Sequence, residues 1–148
     1  MVDVTFEGGE KLKKFFDGAG KGGVKAIEAG VFASAKYPDG TFVAAVAAWN
    51  EFGTVDIPER PAIRNAIKKL EKTIPGMIKK NVDPQKMVVD KQLAGLIGEK
   101  MEGAIKQSIV TLRTPENKEE TKKAKKSSNP LIGIHELYKK SITHKVIT

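Results

Sequence analysis

This 148-residue sequence predicts an α+β fold, a small antiparallel sheet packed against two long helices. Three observations carry that expectation. Val2, Val4 and Phe6 alternate with Asp3, Thr5 and Glu7, the period-two pattern of a half-buried strand. Two long stretches, 61–80 and 84–112, repeat apolar residues at helical spacing. Ile142 and Val146 mark a closing strand over 141–147 that would pair with the earlier ones.

Composition narrows the function classes. The length suits one domain with a single core, and 40% apolar with 30% charged residues is globular composition. The chain has no Cys, which excludes disulfides, a thiol nucleophile and a cysteine metal site, and fits a cytosolic protein. No run approaches the ~18 apolar residues of a membrane span. Met1-Val2-Asp3-Val4 lacks the basic and apolar regions of a signal peptide, so neither a membrane segment nor a leader is expected. The net charge of +8 favours attraction to DNA or to acidic protein surfaces.

In chain order, the strand at 2–7 ends at Gly8-Gly9, and Leu12, Phe15 and Phe16 give a short helix over Glu10 to Ala19. Gly18, Gly20, Gly22 and Gly23 then form a linker. Without a Gly-Lys-Ser/Thr and a leading strand it is not a phosphate loop. Lys25 to Ala35 is strand-like, with the strand placed at 25–34, and Tyr37-Pro38-Asp39-Gly40 is a turn. The Ala-rich stretch from about Val43 into Asn50 predicts a short helix. Gly53 stops it, and Pro58 and Pro61 hold the next residues extended until a helix starts near Pro61.

Ile63, Ala66, Ile67, Leu70 and Ile74 mark the inner face of the first long helix, and Lys68, Lys69, Glu71 and Lys72 its outer face. Pro75-Gly76 predicts a kink or break at Ile74. Asp83-Pro84 reads as the cap and first residue of the second long helix. Its stripe takes in Val89, Leu93, Leu96, Ile97, Met101, Ile105 and Ile109. Gly95, Gly98 and Gly103 on or beside that stripe predict close approach of a neighbouring element. Residues 114–130 lose all apolar periodicity and read as a basic, exposed, flexible loop. Leu131 to Tyr138 reads as a turn and short helix.

Chemistry is sparse. His135 and His144 have no ligand set at metal spacing, and Ser141 lacks a nucleophile elbow, so no enzyme, cofactor or metal is expected. Glu51 and Arg60 flank the central turn and would pair, with Arg64 one helical turn on sharing the carboxylate. They either pin the turn or contact a neighbouring subunit. Trp49 and Phe52 read as core rather than interface. Lys118, Lys122, Lys123, Lys125 and Lys126 read first as a solvated or partner-contacting loop. The second reading is a channel lining that touches DNA phosphates without sequence preference. No aromatic residue among them supports base stacking.

Two segments carry a resemblance. Asn50-Glu51-Phe52-Gly53-Thr54, Ile57-Pro58 and Arg60-Pro61 precede a long helix, and Pro130-Leu131-Ile132 through Leu137 to Ser141-Ile142 lies near the C-terminus. Together they resemble the "EFGT … IPxRPF" and "PLIDTGxLxxSI" blocks of the small neck and tail-completion (minor tail) proteins of long-tailed bacteriophages. Ala62 stands where that family has Phe, and Ile134-His135 replaces its Thr-Gly turn. The resemblance implies a structural virion protein of the head–tail junction, assembled in the host bacterial cytoplasm and acting in tail completion, neck assembly and head–tail joining. It implies a homo-oligomeric ring whose partners are the connector or stopper, the tail terminator and the tail tube, with non-specific contact to viral DNA. Glu51, Arg60 and Arg64 would then serve the subunit or partner interface. A tail-terminator ring capping the tube, and a small basic nucleic-acid-binding protein, are the alternatives.

Overall fold

The computed structural model describes residues 23–82 and 88–148. In chain order they form β1 (Ala26–Val31), α1 (Val43–Phe52), α2 (Ala62–Asn81), α3 (Lys91–Thr111), α4 (Glu119–Lys125), α5 (Leu137–Lys140) and β2 (Ile142–Ile147). The architecture is α+β: α3 lies across both strands of an antiparallel pair, and α2 packs along α3. The strand expected at 2–7 and the helix expected at 10–19 lie outside the described residues.

The closing strand forms as its pattern predicts. β2 pairs with β1 in a register that sets Ile142 opposite Val31, His144 opposite Ala29 and Val146 opposite Ile27. Ile142, His144 and Val146 turn toward the helices, while Thr143, Lys145 and Ile147 face out. The buried side chains form two clusters along the α2–α3 pair. One joins Val43, Ala47, Ile63, Ala66, Ile105 and Ile109 to Leu131, Tyr138 and Ile142. The other joins Val24, Leu70, Val89, Leu93, Ile97 and Met101.

Two helix boundaries differ from expectation. Pro75 does not break α2, which runs on to Asn81. Pro75 and Gly76 lie on its exposed side, where water can satisfy the carbonyl that loses its donor, and Ile74, Met77 and Ile78 hold the inner side on the second cluster. The second long helix starts at Lys91 rather than Pro84, and the cap assigned to Asp83-Pro84 lies outside the described residues. Asp90 is the N-cap, its Oδ1 accepting from the Leu93 N–H at 2.7 Å. Val89 before the cap and Ala94 after it are both buried in the second cluster, which staples the entry of the chain. Among the described residues, only Gly98 of the three glycines of α3 meets a neighbour: a Cβ there would lie 2.3 Å from the His144 ring, whereas Gly95 and Gly103 have open space. Among the described residues no helix is long and apolar enough to cross a membrane.

Candidate functional site

The segment from Asn50 to Arg64 closes on itself. Gly53 ends α1 at φ 74°, and a Cβ there would come within 3.2 Å of the Ile57 carbonyl, so the turn needs glycine twice over. Thr54 donates its N–H to the Ile57 carbonyl at 2.8 Å, and its hydroxyl accepts from the N–H groups of Asp56 and Ile57. The Arg60 N–H returns to the Asn50 carbonyl at 2.6 Å. Pro61 precedes α2 and offers no capping side chain. Glu51 supplies the acceptor instead. Its carboxylate, 2% exposed, accepts from the backbone N–H of Ile63 at 3.0 Å and of Arg64 at 2.8 Å.

Glu51 therefore does not pair with Arg60, as the sequence suggested. The expected Arg64 contact does form, its Nε 3.1 Å from Glu51 Oε1 and its Nη2 bound to Glu59 and the Glu51 carbonyl. The helical register decides this: Arg64 sits in the first turn of α2 beside the N–H groups that Glu51 caps. Glu59, then Glu51, hold the Arg64 guanidinium above its ordinary pKa.

Arg60 turns the other way. It is 4% exposed, and burial lowers its pKa. Its Nε donates to the Pro115 carbonyl at 2.7 Å, Nη2 to the Glu116 carbonyl at 3.1 Å and Nη1 to Asn50 Oδ1 at 3.2 Å. One side chain thus fastens the start of the 114–130 segment to the central turn. The far end is fastened by Asn129, whose Nδ2 donates to the Ile109 and Val110 carbonyls at 3.0 Å and whose Oδ1 accepts from Leu131 and Ile132. The expected loop is therefore pinned at both ends and contains α4. No residue of α4 is buried, which is why apolar periodicity missed it. Its signal is the charge order, Glu119 and Glu120 in the first turn and three lysines in the last, matched to the helix dipole.

The five lysines of that segment divide. Lys122 is paired with Glu116 at 2.6 Å and Glu119 at 2.7 Å. Lys125 is half-buried, donates to the Pro130 carbonyl at 2.8 Å, and has its pKa lowered by burial and then by Arg60. Lys118, Lys123 and Lys126 are exposed.

These contacts enclose a cleft of about 640 Å³. Asn50, Pro58 and Arg60 line it from the first segment, Lys125 from the basic segment, and Leu131 and Tyr138 from the second. Tyr138 is buried, and desolvation with the nearby Glu51 carboxylate pushes its phenol pKa well up. His135 faces the same cleft, while His144 lies on β2 with Nδ1 2.8 Å from Glu102.

Trp49 and Phe52 are not core. They are 44% and 56% exposed, and with Phe42 at 46% they form an apolar stripe on the outside of α1. The helix is apolar on both sides, and the small residues Val43 and Ala47 hold the inner one, where α2 comes close. No sequence pattern assigns Asn50 its contact with Arg60 or Asn129 its contacts with α3. The Ser-Ser-Asn-Pro spelling at 127–130 is the turn signal that marks Asn129. Comparison with protein-family models, curated proteins and solved structures returned no match.

Proposed function

We propose that this chain is a structural virion protein of the head–tail junction of a long-tailed bacteriophage, acting in tail completion and head–tail joining as a homo-oligomeric ring. The observation that carries the reading is the meeting of its two resemblance segments. Residues 50–64 and 130–142 fold against one another, with Tyr138 and Leu131 packed on the α1–α2 corner that Glu51 and Gly53 build. A signature split across the sequence but joined in space is what a shared fold requires.

The exposed stripe of Phe42, Trp49 and Phe52 gives the reading a docking face. Arg64, bridging Glu51 and Glu59 at the edge of that face, supplies a polar rim. Partners at the junction would be the connector or stopper, the terminator and the tail tube.

Electron microscopy of a lysate from the parent phage with this gene disrupted tests the proposal. Filled heads beside separate tails of normal length are expected. Tails of irregular length would move the protein to the terminator ring. Intact, infectious virions would overturn the structural assignment.

A further inference from the structure

We infer that the groove between α2 and the end of α3 is a binding surface for the phosphate backbone of double-stranded DNA. Lys68, Lys69 and Lys72 enter it from α2, and Arg113 enters from the segment after α3. The groove measures about 740 Å³, and Asn65 in its lining is able to donate hydrogen bonds. None of the four cations makes an ion pair among the described residues. The carboxylate in the lining, Glu59, is already bound to Arg64.

Four unpaired like charges drawn together from two separate elements repel one another, and a bound polyanion relieves that repulsion. A solvated charge run on one helix would not bring in Arg113, whose Nη1 is anchored on the Val110 and Leu112 carbonyls. The charge is also concentrated here. Apart from Arg64, which is paired with Glu51 and Glu59, α2 carries Lys68, Lys69, Lys72, Lys79 and Lys80 against the single carboxylate Glu71. Lys79 extends the line beyond Lys72, so that Lys68 to Lys79 spans about 16 Å along the helix. An extended row of cations suits a repeating polyanion rather than a single small phosphate. Among the described residues the groove holds no aromatic side chain for base stacking, so contact is with phosphates and without sequence preference. The basic segment at 114–130 is the weaker candidate, because Lys122 and Lys125 are already engaged within the chain.

This inference goes beyond the assembly proposal and does not rest on it. The test is fluorescence anisotropy with a labelled mixed-sequence duplex of about 24 base pairs, titrated from ~50 to ~200 mM KCl. Four phosphate contacts predict a log–log salt slope of about −3.6, an affinity loss of about 150-fold over that range. The triple variant Lys68→Ala, Lys69→Ala, Lys72→Ala should bind more than ~10-fold more weakly, with a slope near about −1. All three lysines are exposed and alanine favours helix, so circular dichroism should match the parent. The variant Lys118→Ala, Lys123→Ala, Lys126→Ala should stay within about twofold of the parent. Equal losses in both variants, or a parent slope shallower than about −1, would overturn the assignment. Displacement of the duplex by poly-glutamate as readily as by unlabelled DNA of equal charge would reassign the groove to an acidic protein.

Discussion

Glu51 and Arg64 meet at the N-terminus of α2, where the buried Glu51 carboxylate accepts from both the backbone N–H and the Nε of Arg64. The carboxylate belongs to the last turn of α1, an unfavourable end for a negative charge. It is held because the positive end of α2 faces it.

Replacing Glu51 by Ala leaves the Ile63 and Arg64 N–H groups without an acceptor inside the fold. The expected loss is about 3 kcal/mol, a fall in Tm of about 10 °C by calorimetry. Glu51→Gln keeps one acceptor oxygen and should lose about half as much.

The glycines of α3 separate close approach from mere tolerance. Gly98→Ala places a methyl 2.3 Å from the His144 ring, which Glu102 holds in place, and should destabilise by about 1–3 kcal/mol. Gly95→Ala and Gly103→Ala meet open space and should stabilise by up to about 1 kcal/mol. Urea unfolding of the three variants reads the difference in sign.

Asn129 uses both ends of its amide, donating to two α3 carbonyls and accepting from two N–H groups. Asn129→Asp removes the donor and sets a negative oxygen against the Ile109 and Val110 carbonyls. A loss of about 3 kcal/mol is expected in chemical denaturation, with a larger effect than Asn117→Asp, where one bond is at stake.

Arg60 governs whether the 114–130 segment stays docked. Arg60→Lys cannot reach the Pro115 and Glu116 carbonyls and Asn50 Oδ1 together. Limited trypsin digestion should cut at Lys118 to Lys126 at least ~10-fold faster in the variant, because docking is lost locally. Cleavage within α3 should be unchanged.

Hydrogen bonds from Lys106, then from His144, lower the pKa of Glu102 from its ordinary 4.5. A carboxyl with a depressed folded-state pKa adds stability that is fully present above its unfolded value. That stability is lost as pH falls through the lower, folded value. The acid limb of the stability profile below about pH 4.5 should therefore be shallower in Glu102→Gln than in the parent. Identical limbs in the two proteins would refute this assignment.

What the sequence determined by itself is set by local periodicity and turn chemistry. The apolar faces of α2 and α3, the closing strand at 142–147, the turn at Gly40 and the stop at Gly53 all follow from spacing or from a residue's own backbone limits. The tertiary structure decided the partners. Arg60 and Arg64 are alike in sequence and four residues apart, yet one is buried on backbone carbonyls and the other is exposed on Glu51 and Glu59. Trp49 points outward although it is the largest apolar residue of α1, because α2 approaches the opposite side. α4 forms without an apolar face, because Arg60 and Asn129 fasten the chain on either side of it. Which cations stay unpaired is likewise a matter of which carboxylates the fold brings near, and no local pattern encodes that.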